Sequence, residues 1–113
     1  MQGNEYQNMA MRFLNPISGA SDEMLLIEGV MGMNGEAGEA VDLVKKMLFQ
    51  GHDLNKQHVA KELGDVMWYV AATAKAIGYT LDEVMQMNID KLTARYGDGF
   101  KADNSINRKA GDV

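Results

Sequence analysis

Apolar residues along this chain recur at intervals of three and four rather than two, and runs of β-branched residues are missing. That period belongs to helices. The pattern predicts a first helix over about residues 3–14, ending before Pro16, because the residue ahead of a proline is pushed out of helical backbone. Ser21 or Asp22 can cap a second, long helix that runs to Gln50 and stops at Gly51. A third begins at Asp53 to Asn55 and continues to about Ile77, with Gly78 as its stop. Thr80 caps a fourth, which carries Asp82 and Glu83 in its first turn, where the helix dipole favours them, and ends near Gly97. The expected fold is all-α: a single antiparallel four-helix bundle-like domain over residues 1–113, with 98–113 as a polar C-terminal tail or partner-dependent arm.

Two local features refine this picture. Gly29, Gly32, Gly35 and Gly38 stand three apart inside the second helix, each costing about 1 kcal/mol relative to alanine there. Such a series predicts close approach by another helix, or a kink. Ten methionines are expected as adaptable core filling, with a Met-rich partner surface as the alternative.

Composition narrows the function classes. At 113 residues, 46% apolar and 24% charged, the chain is globular and has room for one core. A net charge of −5 argues against nucleic acid and against anionic membrane, which both require a basic face. The absence of cysteine excludes disulfides, thiolate zinc sites and cysteine nucleophiles. No apolar run opens the chain and none approaches a membrane span, so a cytoplasmic location is expected.

The chemistry is concentrated in two acidic motifs. Helix two carries Glu36-Ala37-Gly38-Glu39 and helix three carries Glu62-Leu63-Gly64-Asp65. A spacing of three places both acids of a pair on one face, about 60° apart. On the helical wheel Leu43 and Met47 lie near Glu36, while Tyr69, Thr73 and Val66 lie near Glu62. Both pairs therefore fall on the stripe expected to face the bundle interior. Four unpaired buried carboxylates would cost several kcal/mol each, so they must be neutralised. Protonation, basic partners or a divalent ion could each do it. Lys45, Lys46 and Lys61 project elsewhere, and an oxygen-only donor set suits Mg²⁺, with Mn²⁺ as a substitute. The short loop near Gly51 makes helices two and three antiparallel neighbours and lets the two pairs meet.

On helix four, Asn88, Lys91 and Arg95 share a face. Alone they read as a solvated stripe; beside a carboxylate-held metal they are what a polyphosphate requires. His52 falls in a loop and reads as solvated. His58 precedes Glu62 by four residues, which invites a ferritin-like di-iron reading, but that site needs Glu-x-x-His and the order here is reversed.

Taken together, Gly35-Glu36-Ala37-Gly38-Glu39, then Glu62-Leu63-Gly64-Asp65-Val66, then Asn88-Ile89-Asp90-Lys91-Leu92-Thr93-Ala94-Arg95-Tyr96 resemble the signature of the MazG-like all-α nucleoside triphosphate pyrophosphohydrolases. The likeness covers about residues 23–100; Gly97 stands where relatives usually have proline. It implies Mg²⁺-dependent cleavage of a nucleoside triphosphate between the α- and β-phosphates, giving a monophosphate and pyrophosphate in nucleotide-pool housecleaning. Glu36, Glu39, Glu62 and Asp65 would hold the metal, with Glu36 or Glu39 orienting the attacking water. Lys91 and Arg95 would contact the outgoing pyrophosphate, with Asn88 as a polar contact. The alternative is a non-catalytic helical oligomerisation or regulatory module that binds nucleotide without turnover.

Self-association is the last expectation. Helix two, near ~45 Å long, carries Met24, Leu25, Leu26, Val30 and Met31 around its first half, and Met67 and Trp68 lie off the acidic face of helix three. Surplus apolar surface of this kind predicts a homodimer or homotetramer.

Overall fold

The computed structural model describes all 113 residues. Five helices form without any strand: α1 (Gly3–Ala10), α2 (Asp22–Phe49), α3 (Lys56–Ala76), α4 (Leu81–Tyr96) and α5 (Ala102–Ile106). Single 3₁₀ turns at Met11–Phe13 and Ser18–Ala20 separate α1 from α2. The chain divides into two compact units, Met1–Leu81 and Asp82–Val113.

In the first unit, the caps fall where the residue types predict. Ser21 accepts the Met24 N–H at 3.1 Å and Asn55 accepts the His58 N–H at 3.0 Å, each satisfying a donor that has no partner within its helix. Gly78, with φ 84°, turns the chain after α3 in a backbone conformation that costs glycine little. Helix α1 is shorter than expected: it tightens into the 3₁₀ turn at Met11–Phe13, and Leu14 is already extended, with ψ 137°, ahead of Asn15 and Pro16.

Helices α2 and α3 pack as an antiparallel pair, with α1 laid on α3. The buried apolar core is small: Ala10, Leu25, Ala71, Ala72, Ala74 and Leu81. Close approach replaces bulk here. A Cβ at Gly29 would collide with Thr73, whose Cβ would stand 3.2 Å away, and one at Gly32 would collide with the Tyr69 ring. Gly35 and Gly38 face open space, so half of the glycine series serves helix approach within this chain. None of the methionines is buried, and Met24, Met31 and Met67 are exposed. The expected methionine core is thus absent, because alanines and glycines draw the helices too close to need filling.

Buried Gln7 ties the unit together. Its amide donates to the carbonyls of Ala71 at 3.1 Å and Tyr79 at 3.2 Å, and its oxygen accepts the Leu81 N–H at 3.0 Å. Trp68 is half-buried rather than surplus surface: its indole donates to the Ala10 carbonyl at 3.0 Å and meets Tyr69 edge-on at 5.0 Å. Part of the apolar surface expected to be surplus at Trp68 is thus taken up within this chain.

In the second unit, Gly97 adopts φ 61°, a left-handed conformation closed to proline. The segment after it is more than a tail. It forms α5, Phe100 packs on Tyr96 with ring centres 5.2 Å apart, and Asp112 pairs with Arg95.

Candidate metal centre

The antiparallel register carries Glu36 of α2 to the turn of α3 that bears Glu62 and Asp65. One carboxylate oxygen from each of the three lies within 4.8 Å of the others. Glu36 and Glu62 are half-buried, while Asp65 and Glu39 are exposed. The acids therefore sit at the margin of the helix pair and not in its interior, which corrects the helical-wheel expectation. Beside the acids Gly35, Gly38 and Gly64 face open space, so nothing in the chain covers this end of the pair.

Glu39 stands outside the three-carboxylate cluster. Its offset of about 60° from Glu36 turns it to solvent on α2, whereas the same offset on α3 leaves Glu62 and Asp65 both within reach of Glu36.

Close like charges raise the affinity of a carboxyl for protons. The Glu36 carboxyl is pushed above its ordinary range, first by burial, then by the charge of Asp65, and by its hydrogen bond and charge interaction with Glu62. The Tyr69 hydroxyl is raised as well, by burial and then by Glu28, Glu36 and Asp65. No lysine offsets this charge on α2: Lys45 and Lys46 both bind Asp42, at 3.0 and 2.9 Å. One basic side chain does reach the cluster. His58 Nε2 lies 3.1 Å from Glu62 Oε1, so the four-residue spacing that suggested a di-iron ligand places this histidine beside a carboxylate instead. An all-oxygen cluster with mutual repulsion fits a hard divalent cation, which would bind the oxygens and relieve the repulsion together.

Beside the cluster is a cavity of about 330 Å³ lined by Phe13, Asn15, Glu28, Glu36, Asp65, Trp68 and Tyr69. Asn15 Oδ1 accepts the N–H groups of Ile17 and Ser18, both at 2.9 Å, and its side-chain Nδ2 donates to both Glu28 oxygens at 3.0 and 3.1 Å. Sequence reasoning passed over Asn15 and Glu28. The one local signal was Glu28 and Glu36 flanking Gly32 at steps of four along α2.

In the second unit, Lys91 and Arg95 line one cavity of about 400 Å³, and Asn88 is an exposed residue outside it. Lys91 is exposed, and Arg95 is half-buried and already engaged by Asp112.

Residues 29–100 match the MazG nucleotide pyrophosphohydrolase domain. The chain is also similar to the Gene 37 protein of Mycobacterium phage L5, at 40% identity over 90 residues, covering 73% of this chain and 79% of that protein. No solved structure matches it. Both acidic motifs and the Asn88–Tyr96 segment lie inside the matched span, and the all-helical fold agrees with it; the chain belongs to the MazG nucleotide pyrophosphohydrolase family, whose members generally hydrolyse nucleotide phosphoanhydrides.

Proposed function

We propose that this protein is a Mg²⁺-dependent nucleoside triphosphate pyrophosphohydrolase, acting in nucleotide-pool housecleaning in the cytoplasm. The observation that carries the reading is the convergence of Glu36, Glu62 and Asp65 from two motifs onto one point, within a chain of the MazG family. The matched span runs across both compact units, which supports residues 1–113 working as one domain.

Glu36, Glu62 and Asp65 would hold the cation, with Glu39 one turn further along α2. A bound Mg²⁺ would supply positive charge against the phosphate chain and make water at the site easier to deprotonate. Glu36 or Glu39 orients the water and takes its proton as the water oxygen bonds to the α-phosphorus. The bond from that phosphorus to the bridging oxygen breaks, and pyrophosphate leaves. Lys91 and Arg95 take the charge of the departing pyrophosphate, and Asn88 adds a polar contact. His58 holds Glu62 in orientation through its hydrogen bond, as partners beyond the ligand shell commonly do.

The test is release of pyrophosphate from nucleoside triphosphates by the purified chain with Mg²⁺ or Mn²⁺, and its abolition by chelator. Full activity in excess chelator would overturn the metal requirement; binding without turnover would make the protein a regulatory module.

Self-association is part of the same reading. Along α2, Val41, Leu48 and Phe49 are 66%, 64% and 81% exposed, and with Ala40 and Val44 they line an apolar groove. Surface of that kind supports a homodimer, or a tetramer formed by pairing dimers. Phe49→Glu should weaken assembly. A mass of 12.4 kDa for the unaltered protein in light scattering at micromolar concentration would refute it.

A further inference from the structure

Asp112 holds Arg95 in a two-pronged grip: Arg95 Nε donates to Oδ2 at 2.8 Å and a terminal nitrogen donates to Oδ1 at 2.7 Å. The two side chains are only 9% and 15% exposed. This is the geometry with which a guanidinium binds a phosphate. The chain reaches it through a turn: Gly111 adopts φ 85°, and the Asp112 N–H donates to the Lys109 carbonyl at 3.1 Å. The pair borders the cavity of about 400 Å³, which also takes in Lys91, Asn107 and Lys109. Lys91 and Arg108 add to the positive field at the Asp112 carboxylate. One carboxylate thus answers several cations, in a cavity larger than its own side chain.

We propose that Asp112 is a resident phosphate mimic, and that a phosphate-bearing ligand, pyrophosphate in particular, displaces it from Arg95. The identity of the displacing anion rests on the reading of Arg95 as a pyrophosphate contact. The arm 98–113 then competes with the ligand: the same five N–H donors of one guanidinium cannot serve both in full. By reciprocity, whatever the ligand loses in affinity to the arm, the arm loses in docking to the ligand.

Inorganic pyrophosphate, titrated calorimetrically into the full chain in excess chelator, tests this without turnover or metal. Asp112→Asn should bind it about tenfold more tightly than the unaltered chain, and adding Arg95→Gln should remove that gain. Equal affinities would overturn the proposal and leave the pair a structural strap. If the variant's arm detaches outright, the proposal expects the same gain, because the competitor is gone. A second measurement needs no variant: pyrophosphate should speed tryptic cleavage at Arg108 and Lys109, and protection or no change would overturn it. A chain that binds in this way but never hydrolyses nucleotide would defeat the proposed function while leaving this competition in place.

Discussion

Between Leu25 and Gly32, α2 lies so near α3 that Thr73 and Tyr69 occupy the space of two missing side chains. One turn further along the same helices, Gly35 and Gly38 face open space and three carboxylates crowd together instead. On the α3 side of this stretch lie the buried alanines, and Gln7, every polar atom of whose amide group is used, donates to the Ala71 carbonyl. The second holds acids at the margin of the pair, where burial first, and then the neighbouring charges of Asp65 and Glu62, raise the Glu36 pKa. One helix pair is therefore divided in labour along its length. Tight packing at one end fixes the register, and the register delivers Glu36 to Glu62 and Asp65 at the other. That arrangement is expected when a site is set on rigid elements but needs strained electrostatics of its own.

The comparison is broken most severely at the acidic end. Glu36→Gln or Asp65→Asn should leave the helical fold intact, since each keeps the side-chain shape and removes repulsion. Turnover should fall by about a hundredfold or more, in line with losing an electrostatic contact to the transition state. Circular dichroism alongside steady-state kinetics checks both halves. Unchanged rates in both variants would make the cluster a structural feature.

At the packed end the expected loss is of stability. Gly32→Ala places a methyl group into the Tyr69 ring, and Tyr69 is held by Trp68 on its edge, so it cannot simply swing away. Overpacking of this kind costs about 1–3 kcal/mol, readable as a lower denaturation midpoint at unchanged m-value. Because the register would shift with it, metal affinity should weaken as well.

Much of this division was legible in the sequence, for reasons that are local. Ser21, Asn55 and Gly78 act within three or four residues of the helix ends they set, so their residue types suffice. The meeting of Glu36 with Glu62 follows from a short loop between two helices. Glu39 was harder, because helical periodicity gives a face but not how a helix is rotated against its neighbour. Trp68 and Asn15 needed contacts across the chain: Trp68 donates to the Ala10 carbonyl, and Asn15 reaches Glu28 by way of a turn at Pro16. The α5 segment is five residues long, too short for periodicity to reveal.

A smaller effect should come from His58. Its ring touches Glu62 without belonging to the carboxylate cluster, so His58→Phe keeps a ring on α3 and removes only the orienting hydrogen bond. Metal affinity should drop by about tenfold, the lower end of what loss of such a partner costs, with the melting temperature of the metal-free protein little changed. If affinity holds, Glu62 is oriented by α3 alone.

The mildest test inverts the one at Gly32. Gly38 sits in the interior of α2 at ordinary helical backbone, with nothing in its own chain near the position of a Cβ. Replacing it by alanine removes glycine's extra unfolded-state freedom and adds no clash within the chain, so Gly38→Ala should stabilise by up to about 1 kcal/mol. The same methyl group that destabilises at Gly32 would then stabilise two turns away, and the sign change would mark where tight packing ends and the open acidic end begins. Thermal or urea melts measured at several protein concentrations add a second reading. Stabilisation at every concentration leaves this face of α2 open to solvent. A loss that grows with concentration would mean that a second copy of the chain packs against Gly38, and would set the proposed dimer interface beside the carboxylates.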